Sequence, residues 1–157
     1  VTGGGWPSYY LEEMIGHAQA QQAVLMSMTM EGVFARIPEL KVVLIEAGFA
    51  WLPSLLWRMD KLWQTMGDEV PHLTRKPSEY VREQVWLTTQ PMEEPEFKPH
   101  LLDTIGWIGW DRLLFATDYP HWDFDHPELA MPIRVGEEQK QKCFLQNALD
   151  LPKPQPV

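Results

Sequence analysis

Residues 113–123 read LLFATDYPHWD, an apolar run that ends in charged and aromatic side chains. A short, continuous apolar run is typical of a strand that is buried on both faces of a parallel sheet. Residues 42–46 (VVLIE) and 85–89 (VWLTT) show a similar pattern, and helical patterns lie between the runs. The sequence therefore predicts βαβ units, that is, an α/β chain with parallel strands at 42–46, 85–89 and 113–117.

The strongest helical pattern covers residues 52–66, where apolar side chains recur at i, i+3, i+4 and i+7. A long helix is predicted over residues 9–36, with an interruption near Gly32. Shorter helices are predicted at 78–84, 100–105 and 137–148, and residues 106–110 are predicted to connect a helix to a strand. The apolar stripe of the 52–66 helix is interpreted as core and consists of Leu52, Leu55, Leu56, Met59, Leu62, Trp63 and Met66.

The composition limits the classes of protein that fit. The chain has 157 residues, of which 45% are hydrophobic, and 13 Lys and Arg against 22 Asp and Glu give a net charge of −9. This acidic balance argues against nucleic acid or an anionic membrane as a partner, because both require clustered basic residues. A complete eightfold β/α barrel needs about 250 residues and rarely fewer than about 200. The chain is therefore too short to be a complete barrel of this kind.

Cysteine content and the chain start bear on the compartment. Cys143 is the single cysteine, which excludes an internal disulfide framework and a multi-cysteine zinc site and favours the reducing cytoplasm. No secretory signal is visible, and the uncharged residues 14–30 contain His17 and several glutamines, too polar a composition to span a bilayer. Because the first residue is Val1 rather than Met, we expect further sequence upstream.

Candidate chemistry gathers where the predicted strands end. In parallel α/β folds, reactive side chains lie at the carboxyl ends of strands, and here these ends carry Glu46, residues 88–90 and Asp118. Residues 118–126 contain three carboxylates and two imidazoles, donors that suit Zn²⁺ or Mn²⁺. An aspartate at a strand end can also accept a proton from metal-bound water. Asp118 is therefore the best candidate for a metal ligand.

A plainer interpretation of the same segment stays open. Asp followed by Tyr-Pro is a common turn former, and Asp123, Asp125 and His126 are also compatible with a solvated loop. The spacing does not match an EF-hand, and the sequence contains no His-x-His, His-Glu-x-x-His or Gly-x-Gly-x-x-Gly motif.

Several segments together resemble the amidohydrolase-related family, of the aminocarboxymuconate-semialdehyde-decarboxylase-like type. They are residues 38–48 (PELKVVLIEAG), 57–60 (WRMD), 87–91 (LTTQP) and, most specifically, 114–123 (LFATDYPHWD). The resemblance covers nearly the whole chain. It implies one amidohydrolase-related region over 1–157, with a Pro-rich tail at 151–157. The implied fold is part of a (β/α)₈ TIM-like barrel, roughly strands six to eight.

The resemblance also implies roles for individual residues. Asp118 is expected to be the strand-eight aspartate, a metal ligand and proton shuttle, with His121 and Glu46 as further catalytic residues of the pocket. The implied cofactor is a divalent metal, with Zn²⁺ first and Mn²⁺ second. The family's His-x-His pair and strand-five histidine are expected upstream of Val1. Many members have a histidine at the end of strand six, where this sequence has Glu46, a departure from usual decarboxylase chemistry.

The first functional hypothesis is therefore a metal-dependent hydrolase that acts on a small organic substrate through metal-activated water. Two alternatives stay open. One is a non-oxidative decarboxylase of the same family, which would be a lyase. The other is a non-catalytic barrel fragment that is stabilised by association, either as a homo-oligomer or with a missing barrel half, because unpaired strand edges and an exposed apolar face require a partner. The predicted ligand is a small molecule, with neither nucleic acid nor membrane as a partner.

Overall fold

A computed structural model describes residues 5–151, so the predicted tail at 151–157 lies outside the described residues except for Leu151. Contacts between backbone segments divide the chain into two compact units. Of the described residues, the first unit contains those up to Leu40 together with residues 51–84. The second contains residues 41–50 and those from Val85 onward.

The first unit is helical. Its helices are α1 (Tyr10–Met30), α2 (Val33–Arg36), α3 (Leu52–Met66) and α4 (Pro77–Gln84), and a 3₁₀ turn at Gly67–Glu69 follows α3. The predicted interruption near Gly32 is confirmed, because Gly32 has a left-handed φ of 71° between α1 and α2.

The apolar stripe of α3 is buried only over part of its length. Leu52, Leu56 and Met59 are buried, whereas Leu62 and Met66 are 39% and 49% exposed. The prediction that the whole stripe is core is therefore wrong at the C-terminal end of the helix. The sequence period identifies the apolar face of a helix, but it does not show how far other elements cover that face.

The second unit contains the sheet. Strands β1 (Val42–Leu44), β2 (Val85–Thr88) and β3 (Leu113–Leu114) pair in parallel in the order β1-β2-β3. Val42 lies opposite Val85, and Leu87 lies opposite Leu113. Residues of these strands form the core with α5 (Pro99–Ile108), in which Leu101 and Ile105 are buried. The predicted α/β class with a parallel sheet is confirmed.

Each strand is shorter than predicted, and the residues after β3 leave the backbone ladder. After β3, the backbone N–H of Phe115 donates to the carbonyl oxygen of Cys143 over 3.0 Å. The N–H of Ala116 donates to the hydroxyl of Thr89 over 3.2 Å. A segment that bonds to a helix carbonyl and to a side chain keeps its hydrogen bonds but is no longer a strand.

The C-terminal part of the described chain is helical, as predicted. Residues 137–148 fall into α6 (Glu137–Gln141), a π-helical segment (Lys142–Gln146) and α7 (Asn147–Asp150). The buried Asn147 side-chain amide donates to the carbonyl oxygens of Trp110 and Leu113, both over 2.7 Å. By contrast, the predicted connection at 106–110 is wrong in part, because α5 continues to Ile108.

Among residues 5–151, no helix combines the length and the apolar character that a membrane span requires.

Candidate metal centre

Two carboxylates lie just beyond the carboxyl ends of the outer strands of the sheet. Glu46 follows β1 by two residues, and Asp118 follows β3 by four. In parallel sheets these ends face the same side, so groups that are distant in sequence meet there. The structure brings Glu46, Asp118 and His121 together, with one potential ligand atom of each within 4.8 Å of the others. The three residues predicted to form the site are therefore neighbours in space.

The backbone at both carboxylates is unusual. Glu46 has a φ of 57° and Asp118 a φ of 61°, and among residues 5–151 these are the non-glycine residues with positive φ. An L-residue in the left-handed region costs about 1–2 kcal/mol, because its Cβ approaches the following carbonyl oxygen. Such strain persists where the surroundings enforce it, and it is enriched at functional sites.

Hydrogen bonds from the last residue of β2 and from the segment after it support this arrangement. The backbone N–H of Glu46 donates to the hydroxyl oxygen of the buried Thr88 over 3.3 Å. The Thr88 hydroxyl in turn donates to the carbonyl oxygen of Gln90 over 3.2 Å. The side-chain amide of Gln90 donates to the carbonyl oxygen of Asp123 over 3.3 Å. The middle strand and the segment after it therefore connect the two loops that carry the site.

Asp118 and His121 form a hydrogen-bonded pair. The His121 Nδ1 lies 2.9 Å from the Asp118 Oδ2, and the backbone N–H of His121 donates to the Asp118 carbonyl oxygen over 2.9 Å. The Asp118 side chain is 13% exposed, whereas that of His121 is 62% exposed. A partly buried carboxylate thus lies in contact with an imidazole that reaches solvent, an arrangement suited to proton exchange.

Hydrogen bonding, charge and burial shift two pKa values near the site. The hydrogen bond and the negative charge of Asp118 raise the pKa of His121, and Glu46 and Asp123 add to this effect. Burial raises the pKa of Asp125, with smaller contributions from the negative charges of Glu94, Asp123 and Asp118. The negative charges of Asp118, Glu46 and Asp123 therefore act together on His121.

The donor set fits a divalent metal. Two carboxylates and one imidazole supply oxygen and nitrogen ligands, which Mn²⁺ and Zn²⁺ accept in proteins. Asp123, Asp125 and His126 do not belong to this group of potential ligands. The sequence suggested the three site residues, but two other features carry no sequence signal on their own. These are the left-handed backbone at Glu46 and Asp118 and the hydrogen bonds of Glu93 to the turn after Glu46.

Comparison with known proteins identifies the family. Residues 2–151 match the amidohydrolase family, so the chain belongs to that family. A gamma-resorcylate decarboxylase from Polaromonas sp. strain JS666 is 36% identical over 124 residues, which is 76% of this chain and 36% of the relative.

Two solved structures are also similar. An amidohydrolase from Mycobacterium avium subsp. paratuberculosis has 30% identity and a TM-score of 0.70. The match covers 94% of this chain and 37% of the amidohydrolase chain. A dihydroxybenzoic acid decarboxylase from Polaromonas sp. JS666, with bound manganese and the inhibitor 2-nitroresorcinol, has 28% identity and a TM-score of 0.64. This match covers 85% of the chain described here and 40% of the decarboxylase chain. The chain thus spans between a third and two fifths of these proteins, and the predicted partial amidohydrolase barrel is confirmed.

Proposed function

We propose that this chain forms part of the active site of a divalent-metal-dependent decarboxylase that acts on a small aromatic carboxylate such as gamma-resorcylate. The observation that carries the proposal is the group formed by Glu46, Asp118 and His121 at the carboxyl ends of β1 and β3. The similarity to gamma-resorcylate and dihydroxybenzoic acid decarboxylases supports this reaction in place of the hydrolysis that the sequence put first.

Glu46 and Asp118 would hold the metal through their carboxylates, and ligands from residues outside this group would complete its coordination. His121 would contact Asp118 rather than the metal. Manganese is supported by the oxygen-rich donor set and by the manganese in the related decarboxylase structure. When bound, a divalent ion supplies Lewis-acid polarisation of substrate oxygens.

The Asp118–His121 pair would supply the proton that decarboxylation consumes. In this reaction the bond between the ring carbon and the carboxylate breaks, carbon dioxide leaves, and the ring carbon keeps the electron pair and takes up a proton. Asp118 would give that proton from a carboxyl oxygen. His121 would restore it through the 2.9 Å contact and recover its own proton from solvent, to which its ring is exposed.

Hydrolysis is the second candidate function. It is favoured by Glu46, because a carboxylate at that position suits removal of a proton from water, whereas the resemblance led us to expect a histidine. The amidohydrolase structure that covers 94% of the chain also supports it. In that case Glu46 or Asp118 would act as the general base.

One assay separates the two candidates. The purified protein is incubated with Mn²⁺ and either gamma-resorcylate or an aryl ester, and release of carbon dioxide or of the ester's acid is measured. We expect carbon dioxide release that falls at least about 100-fold in Asp118→Asn. The matched control is Asp103→Asn, which removes an exposed carboxylate on α5 and leaves the rate unchanged. Ester hydrolysis without carbon dioxide release would establish the second candidate.

We further propose that the two outer strands are completed by association, with a second copy or with a further part of the barrel. Within residues 5–151, β1 and β3 each pair only with β2, so their outer edges are open. Light scattering tests the association, since a monodisperse monomer containing only this chain would contradict it. The cytoplasm remains the predicted compartment, supported by the free thiol of Cys143.

A further inference from the structure

The carboxylate of Glu93 binds the turn that follows Glu46. The backbone N–H of Phe49 lies 3.1 Å from each of the two carboxylate oxygens of Glu93, and the N–H of Ala50 donates to the Oε1 over 3.0 Å. Phe49 is fully buried. Hydrogen bonds from backbone N–H groups to an ionised carboxylate are roughly twice as strong as those between neutral groups.

The turn is shaped to accept this carboxylate. Gly48 has a φ of 60°, the left-handed conformation that glycine adopts without strain. A Cβ atom at Gly48 would lie 2.8 Å from the carboxyl carbon of Glu93 and closer still to its Oε1. Consecutive backbone N–H groups that point to one spot form a concave site for an anion. Here the anion is a side chain of the same unit.

Glu93 and Thr88 hold the backbone on both sides of Glu46. Thr88 accepts the N–H of Glu46, and Glu93 accepts the N–H groups three and four residues later. Both residues come from β2 or from the segment just after it. The left-handed conformation of Glu46 costs free energy, so contacts on both sides are what keeps it populated.

We propose that Glu93 is a positioning residue of the metal centre. Its carboxylate holds the turn at residues 48–50, and through that turn it fixes the backbone of Glu46 so that the Glu46 carboxylate meets Asp118 and His121. Glu93 does not touch the metal or the substrate in this role. The proposal rests on the proposed function in one respect, because it takes Glu46 to be a metal ligand.

The test is a double-mutant cycle read by Mn²⁺ affinity. Mn²⁺ is titrated into the purified protein and into Glu93→Ala, Glu46→Ala and the double variant. We expect Glu93→Ala to weaken Mn²⁺ binding about 10-fold or more, as is typical when a group that orients a ligand is removed. In the Glu46→Ala background the same substitution should have no further effect, because the residue that it positions is gone.

Two further variants keep the result interpretable. Glu93→Gln retains an acceptor oxygen for the turn and should therefore lose less Mn²⁺ affinity than Glu93→Ala. The glutamine variant also replaces the alanine variant in the test if the latter folds poorly. Glu96→Ala is the matched control, because it removes an exposed carboxylate of the same segment. Its Mn²⁺ affinity should equal that of the unmodified protein.

Hydrogen exchange separates failure of this proposal from failure of the proposed metal site. Glu93→Ala should speed exchange at the amides of Glu46, Phe49 and Ala50 whether or not metal is present, and unchanged exchange would overturn the proposal. Equal loss of affinity in both backgrounds, or none in Glu93→Ala while Glu46→Ala is impaired, would also overturn it. If neither Glu46→Ala nor Asp118→Asn weakens Mn²⁺ binding, the metal site is wrong, and exchange alone decides the role of Glu93.

Discussion

Glu46 and Asp118 approach each other from the two outer strands of the sheet, and both do so from a left-handed backbone, with φ of 57° and 61°. This shared conformation turns the chain sharply after β1 and after β3. Because the conformation is costly for any residue with a side chain, glycine would be more stable at either position. Carboxylates at both positions therefore cost stability that glycine would keep, and strain of this kind is enriched at functional sites.

The first prediction concerns this cost. Glu46→Gly should be more stable than Glu46→Ala by about 1 kcal/mol, because both lose the carboxylate and only alanine keeps the Cβ strain. Urea unfolding of the two variants measures the difference. Glu39→Gly and Glu39→Ala provide a reference pair at an exposed position without positive φ. Equal stability of the two Glu46 variants would show that the position is not strained.

The second prediction concerns the proton relay. His121→Gln should lower kcat for decarboxylation about 100-fold and leave KM nearly unchanged, because the imidazole is proposed to deliver protons rather than to bind substrate. Steady-state kinetics at saturating Mn²⁺ provide the measurement. His126→Gln, which removes an exposed imidazole of the same loop, should have normal kinetics. A rise in KM alone would assign His121 to substrate binding instead.

The third prediction concerns the link between α7 and β3. Asn147→Ala should destabilise the protein by about 2–3 kcal/mol, because it removes two hydrogen bonds of 2.7 Å and leaves the carbonyl oxygens of Trp110 and Leu113 without these donors. Thermal or urea unfolding measures the loss. The neighbouring Gln146 bonds to Asp150 on the surface, so Gln146→Ala should change stability by less than about 0.5 kcal/mol.

The fourth prediction concerns pH. Burial raises the pKa of Cys143 from 9.0 to about 12, so the thiol stays neutral in the folded protein. Iodoacetamide should therefore fail to label Cys143 at a pH of about 8 unless the protein is first unfolded.

The same shift has a consequence for stability. Below pH 9.0 the thiol is neutral in both states and stability is unaffected. As the pH rises from 9.0 towards about 12, the unfolded chain ionises first, and the contribution of Cys143 to stability is lost. The stability of Cys143→Ala should therefore fall less between pH 9.0 and about 12 than that of the unmodified protein. Rapid labelling of the folded protein at neutral pH would contradict the buried, neutral thiol.

The sequence was sufficient for the parallel sheet and for the proximity of Glu46, Asp118 and His121, because both depend on local patterns. Apolar β-branched runs mark buried strands, and the residues at their carboxyl ends lie together in any parallel sheet. Strand length was overestimated for a physical reason. The N–H groups of Phe115 and Ala116 bond to a helix carbonyl and to a threonine hydroxyl, and neither partner is visible in the apolar pattern.

The role of Glu93 could not be predicted in this way. In the sequence Glu93 and Glu94 lie side by side in an acidic, Pro-rich segment, and both have the appearance of surface carboxylates. In the structure one of them bonds to backbone N–H groups of a turn more than forty residues away, and the other pairs with Lys98. Such a contact depends on the register of β1 against β2, which a single sequence does not specify.

Strand β2 contributes no member of the group formed by Glu46, Asp118 and His121. The end of β2 and the segment after it nevertheless bind both loops that carry these residues. Thr88 and Glu93 bond to the backbone around Glu46, and Gln90 bonds to the loop that begins at Asp118. Residues 88–93 thus hold the loops that place the carboxylates of Glu46 and Asp118, and none of these residues belongs to the group of potential ligands. Substitutions confined to residues 88–93 would therefore change the geometry of the Glu46–Asp118 pair and leave Glu46, Asp118 and His121 themselves in place.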